Sequence, residues 1–205
     1  MIKHIIWDFD GTLFDTYPGI TLAAQQALAE MGIDMPQTMF DPLVKVNLDY
    51  CVEQISTLFN VDPESYLAGF RLKYGSLSAE TSPPFPGVLE ICQAVIDGGG
   101  QNFIVTHRSR AGGEEILRFH QMQDLFIDAI YRDDGFPLKP DPAMFEHLIG
   151  KYLLKKEETL AVGDRALDIE AGRAAGIQTA LFLGLDGALL QADRIISDFS
   201  GWKLV

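Results

Sequence analysis

The chain is poor in cysteine, with two in 205 residues, Cys51 and Cys92. Each stands alone on an apolar-patterned segment, which favours buried thiols over a disulfide and removes redox chemistry from consideration. Basic residues are also scarce: 16 Lys and Arg against 29 Asp and Glu leave a formal net charge of −13. Nucleic acids and anionic membranes both need a basic face to displace counterions, so neither is an expected partner. No apolar run approaches the ~18 residues of a membrane span, and "MIKHIIW" opens without a basic region, an apolar signal core or a small-residue cleavage site. A soluble cytoplasmic protein is the expectation. Acidity does not exclude a small anion, because a bound cation or two lysines can invert the field inside a cleft. What is abundant is apolar: 47% hydrophobic residues suit one substantial core, or a core with a small accessory domain.

The apolar run "KHIIW" predicts a strand buried on both faces, as in a parallel sheet. "TYPGITLAAQQALAEMG" predicts a helix with Thr16 as its cap, Pro18 in the first turn, Leu22, Ala23, Ala27 and Leu28 on one stripe, and Gly32 as the stop. Helices are expected near 49–59 and 63–74, the second capped by Asp62 and carrying Tyr66, Phe70 and Tyr74 every four residues as packing. The segment "SAETSPPFPG" breaks this helical run and reads as a linker. Beyond it, helices at 88–97, 109–120, "DPAMFEHLIGKYLL" and "ALDIEAGRAAG" alternate with strands at "QNFIVT", "FIDAIY", "TLAVGD", "QTALFL" and "DRIIS". Asp141 and Pro142 are expected to start the third of these helices, and Gly176 to end the fourth. The alternation predicts an α/β fold with a doubly wound parallel sheet, interrupted after its first strand by an all-helical insert. The expected division is 1–15 with 84–205 for the α/β core, and 16–83 for the insert.

"IIWDFDGTLFDT" crowds acids against the end of the first strand. Two carboxylates about 4 Å apart repel by on the order of 4 kcal/mol at an effective dielectric near 20, so a positive charge should sit there. In open parallel sheets ligands bind at the carboxyl ends of the strands. This sequence places Asp8 and Asp10 at the first such end, Thr106, His107 and Arg108 at the second, Lys139 in the loop after the third, and Asp164 with Asp168 at the fourth. Oxygen-only acidic ligands without a His or Cys cluster suit a hard cation, and Mg²⁺ takes one or two carboxylates beside substrate phosphate and water. Phosphoryl transfer fits this set: Asp8 attacks phosphorus, Asp10 protonates the leaving oxygen and later activates water, and Thr106 and Lys139 hold phosphoryl oxygens. Such hydrolysis calls for accelerations approaching ~10²¹, beyond what any single contact supplies.

"DFDGTLFDT", "IVTHRS", "LKPDP" and "VGDRALDIEAG", in this order, resemble the four motifs of the haloacid dehalogenase-like superfamily across essentially the whole chain. The resemblance makes the helical insert a cap domain of the first type, and the nearest group by pattern is that of phosphoglycolate phosphatase and β-phosphoglucomutase. It implies Asp8 as nucleophile and Asp10 as acid and base, with Gly11, Thr106, His107 and Lys139 toward the phosphate. It further implies Mg²⁺ held by Asp8, Asp164 and the Asp10 carbonyl, and Asp168 orienting Lys139 or a metal-bound water. Asp10 separates this chain from the carbon-attacking dehalogenases, which lack that acid, and from the ion pumps, which carry lysine there. "THRS" departs from the common pattern by placing His107 and Arg108 where a small polar residue is usual, and leaves Arg108 and Arg165 without a role.

Plainer readings accompany each residue. Asp10-Gly11 is ordinary turn chemistry, Lys139 an ordinary loop lysine, and Asp168 an acid suited to a helix start. His4, His120 and His147 have no ligand-like spacing and read as structural. Lys45, in a loop of the insert, is a candidate for the distal end of the substrate, for a Schiff base as in phosphonate-cleaving relatives, or for solvent alone. Segments 14–16 and 81–86 are the expected hinges of the insert. The leading expectation is a Mg²⁺-dependent phosphatase of a small phosphorylated metabolite, acting as a monomer or homodimer. The alternatives are a sugar-phosphate mutase and a degenerate member that only binds a partner. A phosphorylated signalling receiver would carry its aspartate on a later strand and lack the insert.

Overall fold

The computed structural model describes residues 1–182 and 192–202. Its strands are β1 (His4–Trp7), β2 (Gln101–Val105), β3 (Asp128–Ile130), β4 (Thr159–Gly163), β5 (Gln178–Phe182) and β6 (Arg194–Ile196). They form one parallel sheet in the order β3-β2-β1-β4-β5-β6. β1 lies between β2 and β4, with Trp7 level with Ile104 on one side and Val162 on the other. The order therefore reverses direction at β1, and the crevice of a doubly wound sheet opens at such a reversal. The last leucine of the expected strand "QTALFL", Leu183, falls outside the described residues.

The helices are α1 (Tyr17–Glu30), α2 (Asp41–Val46), α3 (Leu48–Phe59), α4 (Pro63–Gly75), α5 (Val88–Asp97), α6 (Arg110–Phe119), α7 (Ala143–Tyr152) and α8 (Ala166–Ala174). α7 and α8 cover one face of the sheet. There Ile6, Phe103, Val105 and Ala161 bury against Met144, Phe145, Leu148 and Ala171. Residues alternate along a strand, so Trp7 points to the opposite face, meeting Phe199 edge-on at 5.6 Å and donating its Nε1–H to Asn102 Oδ1 at 3.1 Å.

The chain divides into two compact units, 1–15 with 83–205 and 16–82. In the second, the small residues Ala23, Ala24 and Ala27 of α1 let α4 approach closely, and Tyr66 donates its hydroxyl to Ala24 O at 3.2 Å. Phe40, Val44, Cys51, Ile55 and Phe70 complete this separate core, with Tyr74 stacked on Phe70 at 5.5 Å. Asp62 caps α4 by accepting from Ser65 N–H at 2.8 Å. The strand-like segments leading out of and back into the first unit run side by side: Asp15 N–H donates to Pro83 O and Phe85 N–H to Leu13 O. Both cysteines are buried and free. Burial pushes the Cys51 thiol up to about 11 and Cys92 higher still.

Three local expectations change. Thr16 precedes α1, but its side chain makes no capping bond and its backbone is already helical. At α7 the cap position belongs to Pro142, while the Asp141 carboxylate accepts from Ala143 N–H at 2.9 Å, one residue further out than expected. The stretch around Lys45, read as a loop, is helix α2, with Pro42 in its first turn and Lys45 in its last. Pro at a first turn costs no hydrogen bond, since that N–H lacks a helical partner anyway. Among the described residues no helix is long and apolar enough to cross a membrane.

Candidate active site

Asp8 follows β1 directly and stays in register with the sheet, its N–H donating to Val162 O at 2.8 Å. The sequence thus drives a carboxylate into the interior at the carboxyl edge of the central strand, where it is 3% exposed. Lys139 answers it. Its ammonium, equally buried, donates to Asp8 Oδ1 at 2.6 Å, to Asp168 Oδ1 at 2.6 Å and to Val105 O at 3.1 Å. One lysine from the loop after β3 therefore ties together the ends of β1 and β2 and the start of α8. The other Asp168 oxygen accepts from Arg165 N–H at 3.1 Å, which fixes the first turn of α8.

Burial drives charges toward neutrality, and neighbouring charges decide the outcome. Burial, and then the repulsion of Asp168, push the Asp8 carboxyl up to about 6 against the pull of Lys139. Burial also opposes the charged form of Asp168, yet Lys139 and Arg165 outweigh it and hold this carboxyl below its usual range. Lys139 is held above its ordinary value, since the two aspartates outweigh its own burial.

Asp8, Asp164 and Asp168 each bring a carboxylate oxygen within 4.8 Å of the others. Asp8 Oδ2 is buried and makes no hydrogen bond among the described residues. An orphaned buried carboxylate oxygen beside further carboxylates suits a hard cation such as Mg²⁺. Both Asp168 oxygens already have partners, which leaves Asp8 and Asp164 as the carboxylates best suited to hold it. Thr12, passed over in the sequence, is buried after the first turn and donates its hydroxyl to Asp164 Oδ1 at 3.4 Å. Its signal was its place directly after Asp10-Gly11, where it reads as one more turn residue. Gly163 is the other residue the sequence left silent. A Cβ there would lie 2.3 Å from Asp168 Cβ, so only glycine lets α8 bring that carboxylate to Lys139.

Thr106 directly follows β2, fully buried, and its Oγ1 accepts from Arg108 N–H at 3.0 Å. Arg108, unassigned by the sequence, grips Asp10. Its Nε donates to Oδ1 at 3.0 Å and Oδ2 at 3.3 Å, its Nη2 also donates to Oδ1, and its guanidinium lies 5.2 Å from the Phe9 ring centre.

Two residues expected at the phosphate have partners inside the protein. Gly11 has one backbone donor, and that N–H goes to Phe14 O at 2.9 Å; its φ of +80° explains the glycine as a turn requirement. His107 Nε2 accepts from Lys139 N–H at 2.9 Å, so the ring secures the Lys139 loop as a neutral imidazole. Burial, with Lys139 and Arg165 nearby, pushes it down to about 4. Lys45 belongs to the other unit, where it is exposed and its Nζ lies 5.8 Å from the Tyr17 ring centre.

Residues 5–182 match the family model of haloacid dehalogenase-like hydrolases. A phosphoglycolate phosphatase from Nitrosospira multiformis is 30% identical over 183 residues, which cover 85% of this chain and 80% of that protein. A hydrolase from Streptococcus pneumoniae, solved as a crystal structure, superposes with a TM-score of 0.68 at 30% identity over 90% of this chain and 94% of its own. A HAD family hydrolase from Deinococcus radiodurans, crystallised with bound phosphate and sodium, superposes with a TM-score of 0.81 at 19% identity, covering 97% and 92%. That last likeness concerns the fold.

Proposed function

The chain belongs to the haloacid dehalogenase-like hydrolase family, and on that premise we propose that it is a Mg²⁺-dependent phosphatase of a small phosphorylated metabolite. The observation that carries this reading is the buried Lys139 ammonium, 2.6 Å from both Asp8 and Asp168, beside an Asp8 oxygen without a partner. Burying three ionised groups costs several kcal/mol each before pairing, and groups so arranged in a crevice are candidates for chemistry.

Asp8 forms a bond to phosphorus as the ester P–O bond breaks, and Asp10 gives a proton to the departing oxygen. In the second half Asp10 takes a proton from water, the water oxygen bonds to phosphorus, and the Asp8–phosphorus bond breaks to release inorganic phosphate. Lys139 fixes the Asp8 carboxylate and offers positive charge to the phosphoryl oxygens, with the Thr106 hydroxyl as a second donor. Asp8, Asp164 and the Asp10 carbonyl would hold Mg²⁺, which when bound neutralises phosphoryl charge. Asp168 positions Lys139. The phosphoglycolate phosphatase relatives support a short phosphorylated acid as substrate. The unit 16–82 serves as the cap, and Lys45 is its candidate contact with the distal end of the substrate.

The test is phosphate release across phosphoglycolate, sugar phosphates, nucleotides and pyridoxal phosphate, with Mg²⁺ and after chelation. Activity is expected for at least one ester, abolished by chelation and restored by Mg²⁺. Asp8→Asn should lower kcat about 10⁴-fold or more, as loss of a covalent nucleophile does. Substantial phosphate release by Asp8→Asn would overturn the mechanism.

A further inference from the structure

Arg165, unassigned by the sequence, follows Asp164 at the carboxyl edge of the sheet. Its Nε lies 4.0 Å from Asp164 Oδ1, the same oxygen that accepts from the Thr12 hydroxyl at 3.4 Å. Its N–H donates to Asp168 Oδ2, which anchors it to the carboxylate that Lys139 grips through the other oxygen. With a side chain 16% exposed, beside that of Asp164 at 11%, its charge is only partly screened. The reach of that charge shows at the buried acids. Burial opposes the ionisation of Asp8 and Asp168 most, and Arg165 is, after Lys139, the cation that works against it.

The cluster thus sets three carboxylates, Asp8, Asp164 and Asp168, against two cations, Lys139 and Arg165, and one negative charge is left over. The neighbouring Arg108–Asp10 pair adds one charge of each sign. Without Arg165 the surplus would be two, enough to neutralise a divalent ion with no anion present. With it, Mg²⁺ alone turns the cluster positive, and a phosphate monoester dianion restores the balance.

We propose that Arg165 sets this balance: it lowers the affinity of the site for the divalent cation and raises its affinity for the phosphoryl anion, so that the two are held as a pair. The inference rests on the Mg²⁺-dependent phosphatase reading and adds to it a residue that tunes both ligands at once. The opposite signs follow from Coulomb's law, since one fixed positive charge repels a cation and attracts an anion at the same place. The guanidinium keeps its charge across the working range of pH. A residue that merely held the end of β4 to the start of α8 would, on removal, loosen the site and weaken both ligands.

The experiment is isothermal titration calorimetry on the full chain after chelation and dialysis, first with Mg²⁺ alone and then with inorganic phosphate at saturating Mg²⁺. Arg165→Gln is expected to bind Mg²⁺ about 10-fold more tightly and phosphate about 10-fold more weakly than the native protein, the effect of one partly screened charge. Arg165→Lys keeps the charge and should stay within about 3-fold of native for both ions. Arg165→Met is the neutral variant if the glutamine variant does not fold. Both affinities weakened, both unchanged, or one shifted without the opposite shift of the other would overturn the proposal. A native protein that binds fewer than both ions would overturn it too. Phosphate release from the ester panel decides the phosphatase reading separately: an active enzyme with any of those outcomes loses only this inference, and an inactive one loses both.

Discussion

The two units differ in what they bury. The insert 16–82 buries alanines, aromatics and aliphatics, and packing accounts for them. The α/β unit buries Asp8, Lys139 and Asp168 together at the carboxyl edge of its sheet. Apolar burial is favourable for its own sake, whereas charge burial is not, so only the second pattern demands a reason beyond folding. Chemistry is therefore written into the α/β unit in a way that the insert does not match, and perturbing the two should separate catalysis from substrate choice.

The largest effect falls on the charge cluster. Lys139→Met leaves two buried carboxylates facing each other, and removing one partner of such a pair costs about 3–5 kcal/mol. Urea denaturation should show that loss, and kcat should fall by about 10³-fold, in the range of an electrostatic catalytic group. Adding Asp168→Asn to Lys139→Met should return part of the stability, because one of the stranded charges is gone, while activity stays low. Stability unchanged by Lys139→Met would mean that the cluster is not the strained part of the fold.

The same contrast explains what could be read from the sequence. The parallel sheet and the convergence of Asp8, Lys139, Asp164 and Asp168 were legible because parallel strands all deliver their next residues to one edge, whatever the side chains are. The partners within that edge were not. Gly11, His107 and Arg108 sit at the expected positions, but which hydrogen bond each makes depends on loop paths at the scale of one bond, and sequence spacing carries no such information. Gly163 was silent because its reason is a residue five positions on, brought back by the turn into α8. In the insert, α2 was misread since a six-residue helix offers too few turns for periodicity to declare itself.

Gly163→Ala probes the edge without touching charge. Its methyl group would meet Asp168 Cβ at 2.3 Å, so the start of α8 must shift. Overpacking of this kind costs about 1–3 kcal/mol, and a displacement near 1 Å costs about 10²-fold in rate. Melting temperature and kcat should both fall. Normal kcat with a lowered melting temperature would show that Lys139 does not depend on Asp168 for its position.

His107 gives a smaller effect that depends on pH. Its folded value, pushed down to about 4, lies below the unfolded value near 6.5. The neutral ring is thus favoured by folding: its contribution is complete above about pH 6.5 and is lost as pH falls through 4. His107→Gln keeps an acceptor for Lys139 N–H but does not titrate. Urea midpoints measured at pH 7, 5.5 and 4.5 should fall more steeply for the native protein than for the variant. Parallel curves would place the ring outside the folding equilibrium.

The smallest effect is expected in the insert. Lys45 is exposed and its Nζ lies over the Tyr17 ring, at a distance where a solvated cation contributes about 0.5–1 kcal/mol. As a contact to the distal end of a substrate it would bind ground state and transition state alike. Lys45→Ala should then raise KM about 3-fold and leave kcat unchanged. That split would be the counterpart of Lys139→Met, in which kcat carries the loss. A fall in kcat matching that of Lys139→Met would erase the division of labour between the units, since a lysine of the helical insert would then be acting on the transferred phosphoryl group itself.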